Sequence, residues 1–534
     1  MVIDPRTPVL VGSGQVTNRP SPEGADPSRR AEPVDLMVQA VQAAADDTTG
    51  VECSIAGRRL LERTDSLRVL KPLSWEYTDP GRLVAGALGI EPPESVLATT
   101  GGNNAQRLVN RTALAIGRGE LDVAVVVGAD CVYSVTAARR HPDRPVLPWT
   151  AQGPDVAAPT AFGNPQRGTT VAEEERGLDL PIHVYPLFEN ALRARAGRGL
   201  EEHRRHIAGL WSRCSEVAAF NPYAWIRHPR STEEIASPGE GNRMVAYPYT
   251  KLLTANMQVD QGAALLLCSA AAAEAAGVPR DRWVFPLAGA DADDHWYLSH
   301  RADFHSSPGL RLAASSAMAL AGTDADRIAH LDLYSCFPSA VQIAAAEIGV
   351  AVDDPSRPLT VTGGLTFAGG PGNNYGTHAI ATMTSTLRAD PGAVGLVSGL
   401  GWYLTEHSIG LYGTRPPGGP GRSVGAGSAS DGLPERTEVA EAAGFRWADP
   451  QAAVGSLPQC ASDAGAVGEV TVETYSVGYE RDGVPSRAVV ACRTPDGRRA
   501  WAGVTDPAHL ELLVTEECCG RLGTLRPDGG LDLT

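Results

Sequence analysis

No apolar run in this chain approaches the roughly 18 residues that a membrane-crossing helix needs. The opening Met1-Val2-Ile3-Asp4-Pro5-Arg6 has no basic stretch leading into an apolar core, so neither a transmembrane span nor a secretory signal is expected. Basic residues are in the minority. The 46 Lys and Arg face 62 Asp and Glu, a formal net charge of −16, which argues against nucleic acid or an anionic membrane surface as a partner. A small anionic ligand held by local groups is still compatible with that balance. The nine cysteines include no Cys-x-x-Cys pair, although Cys518 and Cys519 are adjacent. That usage suits a reducing cytoplasm without a disulfide framework, and no metal site is expected.

What is present is ordinary globular material. The 534 residues are 43% hydrophobic and 20% charged, enough for three or four domain-sized units around a large core. Within them two stretches look like copies of one another. The first passes Leu88-Gly89-Ile90, a Gly/Asn-rich turn Thr99-Thr100-Gly101-Gly102-Asn103-Asn104, a helix-like run to Ile116, and an apolar strand Val123 to Val127. The second passes Ile348-Gly349-Val350, glycines from Gly363 to Gly376, a helix-like run Thr377 to Leu387, and a strand Val394 to Val397 closing on Ser398-Gly399-Leu400-Gly401. Such a duplication places two helix N-termini, with free N–H groups and positive dipole ends, where they can face one cleft.

The rest of the chain organises around this pair. Val9 to Gly14 reads as a buried strand, Val34 to Ala45 as an amphipathic helix, and Ala263 to Cys268 as another strand. Residues 131 to about 245 break the rhythm with a Pro/Gly-rich stretch and helical patterns at Tyr185 to Ala196 and His203 to Ala218, which reads as an inserted, largely helical region. The expected division is an N-terminal half over 1–281, a second half over 282–414, a Gly/Pro/Ser linker over 415–436, and an additional unit over 437–534. In that last unit the alternation Val470 to Val477, the turn Arg481-Asp482-Gly483 and the return Ser486 to Cys492 give a hairpin. With the segment Arg499 to Val504, a helix from Pro507 and a final strand pair, it reads as a small β-barrel of the oligonucleotide/oligosaccharide-binding type.

Five blocks in order carry a family resemblance: Phe220-Asn221-Pro222-Tyr223-Ala224, Val259-Asp260-Gln261-Gly262-Ala263-Ala264, Tyr334-Ser335-Cys336-Phe337, Gly363 to Gly376, and Val397 to Gly401. Residues 1 to about 412 resemble the thiolase superfamily, in particular the sterol-carrier-protein thiolase-like group. The missing residues and the extra C-terminal unit with Val472-Glu473-Thr474-Tyr475 are similar to its type 1 proteins. The resemblance implies a duplicated, layered α/β fold with two mixed sheets, a helical loop domain, and an acyl-CoA ligand handled as by an acetyl-CoA acetyltransferase, as monomer or homodimer. No covalently bound cofactor is implied; a coenzyme A thioester enters as substrate or ligand.

The family's acyl-carrying cysteine maps to Gly102, its Gly-His-Pro histidine to Gly370, its last cysteine to Val397 or Ser398, and the His or Asn of the remaining block to Tyr334. Without a thiol at Gly102 no acyl-cysteine can form, so a conventional two-step thiolase is not expected. The candidates for replacement chemistry are Tyr334, Cys336, Tyr375 and His378. Tyr334 reads either as an acid or base or as a filler of the lost imidazole's volume, and Cys336 as a reactive thiol or a small buried hydrophobe. Substrate-binding candidates are Gly101, Gly102, Asn103, Gly369, Gly370, Asn373, Asn374 and Ser398, with capping and loop tightness as the plainer roles of the asparagines and glycines. Arg193, Arg195, Arg227 and Lys251 are available to a CoA nucleotide. Three functions remain open: an acyltransferase-like protein on acyl-CoA, a tyrosine-dependent aldolase-type lyase on a β-hydroxyacyl-CoA, and a non-catalytic acyl-CoA or lipid binder.

Overall fold

The computed structural model describes residues 3–19, 30–417 and 433–534; most of the expected linker 415–436 lies outside the described residues. The first part of the chain supplies β1 (Pro8–Thr17), β2 (Ser66–Val69), β3 (Glu94–Ala98), β4 (Val123–Cys131), β5 (Thr160–Phe162), β6 (Met244–Tyr247), β7 (Tyr249–Thr250) and β8 (Asp260–Ser269). The second supplies β9 (Phe285–Asp293), β10 (His330–Asp332), β11 (Val394–Gly401), β12 (Glu406–Gly413), β13 (Glu438–Ala442) and β14 (Phe445–Asp449). The last supplies β15 (Gly468–Tyr479), β16 (Pro485–Arg493), β17 (Arg499–Val504), β18 (Leu522–Leu525) and β19 (Leu531–Leu533).

The duplication read from the turns is written into the pairing. One sheet has the order β1-β8-β4-β2-β3-β5 and another β10-β11-β12-β9-β14-β13. Pairing of β1 with β8 and of β8 with β4 is antiparallel and that of β4 with β2 parallel; β9 with β12, β12 with β11 and β11 with β10 repeat the pattern. Strands such as β8, buried along their whole length, carry the continuous apolar runs that a sheet covered on both faces requires. The helices Asn104–Arg118 and Tyr375–Ala389 follow the two Gly/Asn turns and contact strands of both sheets. Gly376 allows them to cross closely, since a β-carbon there would stand 2.8 Å from that of Ala105.

Two boundaries differ from the sequence reading. The strands β13 and β14 belong to the second core sheet, where β14 runs parallel to β9, so the segment 438–449 extends the core and is not part of the added unit. Conversely β6, from the inserted region, pairs with β15, and the third sheet has the order β17-β16-β15-β18-β19 with β6 and β7 attached. Its ends approach through one parallel bridge, Gly503 to Gly530. A buried Arg499 ties this unit to the core: it forks onto Glu473 at 2.7 and 2.8 Å and donates to the carbonyls of Leu298 at 2.9 Å and Arg301 at 2.6 Å.

Candidate functional site

The turn after β3 brings Gly101, Gly102 and Asn103 to the start of the Asn104 helix, facing the end of β11 and the segment that follows β10. A β-carbon on Gly102 would collide with the hydroxyl of Tyr334 and lie 2.6 Å from its Cζ and from the carbonyl oxygen of Leu400. The phenol therefore occupies the space that a side chain at 102 would take. Ser398 fixes the backbone beneath it, accepting a bond from the Tyr334 N–H at 2.9 Å. On the opposite wall Asn373 accepts from the Gly101 N–H at 2.9 Å and donates to the carbonyl of Lys71 at 2.7 Å, while Asn374 donates to the carbonyl of Gly128 at 2.6 Å. Asn374 makes no side-chain cap bond to the helix it precedes, and neither does Asn103 to its own.

Tyr334 is buried, and burial raises its phenol above the ordinary range. It is protonated at neutral pH, fit to donate a hydrogen bond or a proton but not to act as a base. Tyr375 packs edge-on against it, ring centroids 5.4 Å apart, but points its hydroxyl elsewhere. That hydroxyl donates to Asp332 at 2.9 Å and sits 2.7 Å from the Thr362 hydroxyl, inside a buried knot in which Asp332 also holds Thr360 and the N–H groups of Val361 and Thr362. As a cleft-facing acid Tyr375 is thus already engaged. His378 lies one turn further on, where burial pushes its imidazole down to about 3. It is neutral, with Nδ1 2.9 Å from Gln15 Oε1 and Nε2 without a partner among the described residues. It shares a small cavity with Gly369, Gln261, Asn221 and Tyr375. Gly370 is pinned through its N–H to the carbonyl of Asn256 at 2.9 Å. The candidates therefore fall into two groups, one at Gly102 and one at Gly369, joined by the pair of tyrosines.

Neither Cys336 nor Cys131 is placed to form a thiolate. Burial pushes the Cys336 thiol up to about 12, and Cys131, at the start of the helix Val132–Arg140, is raised by burial and then by the nearby Asp260 and Asp130. Carboxylates rather than a histidine surround it, which is the reverse of what lowers a thiol. Arg193 is not available to a nucleotide either: it is buried and bonded to Glu517 at 2.8 Å, tying the inserted region to the third sheet. Arg195, Arg227 and Lys251 are exposed.

Sequence reasoning missed a carboxylate behind the Gly102 turn. Glu406, at the start of β12, is fully buried beside Gly101, Gly401 and Asn103, and Arg107 reaches it at 3.2 Å while bonding Asp293 at 2.9 Å. Its Oε2 and both amide atoms of Asn103 lack hydrogen-bond partners among the described residues. Burial pushes Glu406 up to about 7, partly offset by Arg107. No local pattern marks this residue, because its burial follows from the register of β12 on β9 and β11. Among the described residues no group of three His, Cys, Asp or Glu side chains is placed to hold a metal ion, and no helix is long and apolar enough to cross a membrane.

Residues 449–530 match the family model of the thiolase-like protein type 1 additional C-terminal domain. A monomeric SCP2-thiolase-like protein type 1 from Mycobacterium smegmatis is similar over 100% of both chains, with 30% identity and a TM-score of 0.79. The fold is shared with an Ltp2-ChsH2(DUF35) aldolase, at 19% identity and TM-score 0.56 over 78% of this chain and 100% of that one. It is also shared with the dimeric peroxisomal thiolase of Saccharomyces cerevisiae, at 12% identity and TM-score 0.52 over 77% and 98%. The search of curated proteins returned no match. The chain belongs to the SCP2-thiolase-like proteins of type 1, with a thiolase-fold core and the additional C-terminal domain of that family.

Proposed function

We propose that this protein holds an acyl-CoA thioester without covalent attachment, at the N-terminal ends of the Asn104 and Tyr375 helices, with Tyr334 donating a hydrogen bond to the acyl oxygen. The observation that carries this reading is the Tyr334 phenol standing in the side-chain space of Gly102. A position that would carry the acyl group in a thiolase is thereby filled with a protonated donor, and Cys131 and Cys336 are held neutral by burial. The free N–H groups of two helix N-termini add positive potential to the same cleft. The ligand class rests on the family resemblance. Gly101, Gly102, Asn103, Asn373 and Ser398 shape the acyl end; Gly369, Gly370 and Asn374 shape its far wall. Arg195, Arg227 and Lys251 remain the cations for a nucleotide.

A second reading is a lyase, and the free Tyr334 hydroxyl favours it, since it has no hydrogen-bond partner among the described residues. Retro-aldol cleavage of a β-hydroxyacyl thioester needs a donor for the enolate oxygen and a separate base, and no covalent intermediate. His378 lies three residues past Tyr375 and is neutral, but burial makes it a weak base. In either case the added domain is read as a small barrel of the oligonucleotide/oligosaccharide-binding type, supported by its strand order and the Gly503–Gly530 bridge. A monomer is supported by β5, which pairs with β3 and covers that edge of the first sheet. A cytoplasmic setting fits nine free cysteines. The test is a panel of acyl-CoA and β-hydroxyacyl-CoA thioesters given to wild type and to Tyr334→Phe. Binding without turnover supports the holder; turnover lost in the variant supports the lyase.

A further inference from the structure

The loop after β2 forms one wall of a cleft of about 690 Å³ lined by Lys71, Leu73, Trp75, Glu76, Tyr77 and Arg139, among others. It opens at the carboxyl ends of the parallel strands β2 and β3, where α/β sheets commonly hold ligands, and its volume lies in the range of small-molecule sites. Its chemistry is divided. The Trp75 indole N–H is spent on the carbonyl of Thr150 at 2.8 Å and the Tyr77 hydroxyl on Glu32 at 2.7 Å, so both rings offer the cleft apolar surface only. Leu73 adds to that surface, 44% exposed although it is a large aliphatic side chain. The charged groups are two exposed cations, Lys71 and Arg139, neither in an ion pair with a carboxylate among the described residues, and a single lining carboxylate, Glu76. Glu32 and Asp79 nearby are already bonded to Thr150 and to Ser95 and Arg82.

We propose that this cleft is a second ligand site, taking an amphipathic anion: a carboxylate or phosphate held by Lys71 and Arg139, on an apolar body laid against Leu73, Trp75 and Tyr77. It is separate from the Gly102 cleft but shares a partition with it. The Asn373 side chain spans from the Gly101 N–H to the carbonyl of Lys71, and Asp130 anchors the N–H groups of Leu73 and Ser74, at 2.7 Å for Ser74.

The test is calorimetric titration of the full chain with octanoate, octyl phosphate and octanol at fixed ionic strength. Both anions are expected to saturate one site, the tighter of the two naming the head group, and octanol to bind at least about tenfold more weakly. Lys71→Ala and Arg139→Ala, at exposed positions that leave the core intact, are each expected to weaken the anions about tenfold, in line with one charge-assisted hydrogen bond. Tyr334→Phe is expected to leave both anions unaffected, which separates this site from the thioester cleft. Equal affinity for octanol, insensitivity to both cation variants, or no saturable binding would each overturn the proposal.

Discussion

The phenol of Tyr334 stands over Gly102, with its Cζ 2.6 Å from the position that a β-carbon on residue 102 would take. Glycine and tyrosine are therefore a matched pair, and each predicts what happens when the other is changed. Gly102→Ala is expected to cost about 1–3 kcal/mol of stability through overpacking. Combining it with Tyr334→Ala should recover part of that cost, giving a coupling of about 0.5–3 kcal/mol in a double-mutant cycle followed by urea unfolding. Strict additivity would mean that the two residues do not compete for one space.

Cys131 and Cys336 should stay unacylated. After incubation with acetyl-CoA, peptide-mapping mass spectrometry is expected to find Cys131 and Cys336 unmodified, because burial holds both as neutral thiols; the exposed Cys53 reports non-specific acylation. Installing the missing nucleophile with Gly102→Cys alone should not produce an acyl adduct, since the phenol blocks the site. The double variant Gly102→Cys, Tyr334→Ala removes the phenol and leaves the Leu400 carbonyl oxygen, 2.6 Å from the same position, as the remaining obstacle.

Acid should weaken the fold through His378. Its native pKa, lowered to about 3, lies below the ordinary 6.5, so between those values the unfolded chain binds the extra proton and stability rises with pH. Unfolding free energy measured across pH 3–6.5 is expected to fall less steeply toward acid in His378→Gln than in wild type. Parallel curves would show that the imidazole is protonated in the native state.

Glu406 has the opposite sign. Its native pKa of about 7 lies above 4.5, so between those values the folded protein holds the extra proton and stability declines as pH rises. Glu406→Gln, which removes this ionisation, should gain on wild type from pH 4.5 to 7 by an amount on the order of 2–3 kcal/mol. A difference between the two that does not vary with pH would show that Arg107 holds Glu406 ionised throughout.

The added domain should loosen without Arg499. Arg499→Ala leaves Glu473 with Arg493 alone, at 2.6 Å, and removes the side-chain donor to the carbonyls of Leu298 and Arg301, at a cost of about 1–3 kcal/mol. Limited proteolysis is expected to release the C-terminal domain from the variant before the core is cut. Unchanged digestion would show that packing and the β6–β15 pairing suffice.

The core was legible because its signals are local. The Gly/Asn turns before Asn104 and Tyr375, the apolar runs of β4, β8 and β11, and the alternation in β15 each announce one element, and five blocks in order announced the family. Strand partnership was not legible: nothing within Phe445–Asp449 says that it joins β9, and nothing in Met244–Tyr247 says that it joins β15, because those choices are made by distant surfaces. The site shows the same division. His378 and Tyr375, three residues apart on one helix, line one cavity, but the direction of the Tyr375 hydroxyl is set by Asp332, more than forty residues away in sequence. Glu406 was invisible for the same reason.

Tyr334 is the side chain proposed to meet the acyl oxygen directly. Titrating an acyl-CoA thioester into wild type and into Tyr334→Phe, by calorimetry under identical conditions, isolates that hydroxyl. The expected result is saturable one-site binding to wild type, weakened about threefold to tenfold in the variant by the loss of one neutral hydrogen bond. Equal affinities for the two proteins, or no saturable binding to wild type, would contradict it.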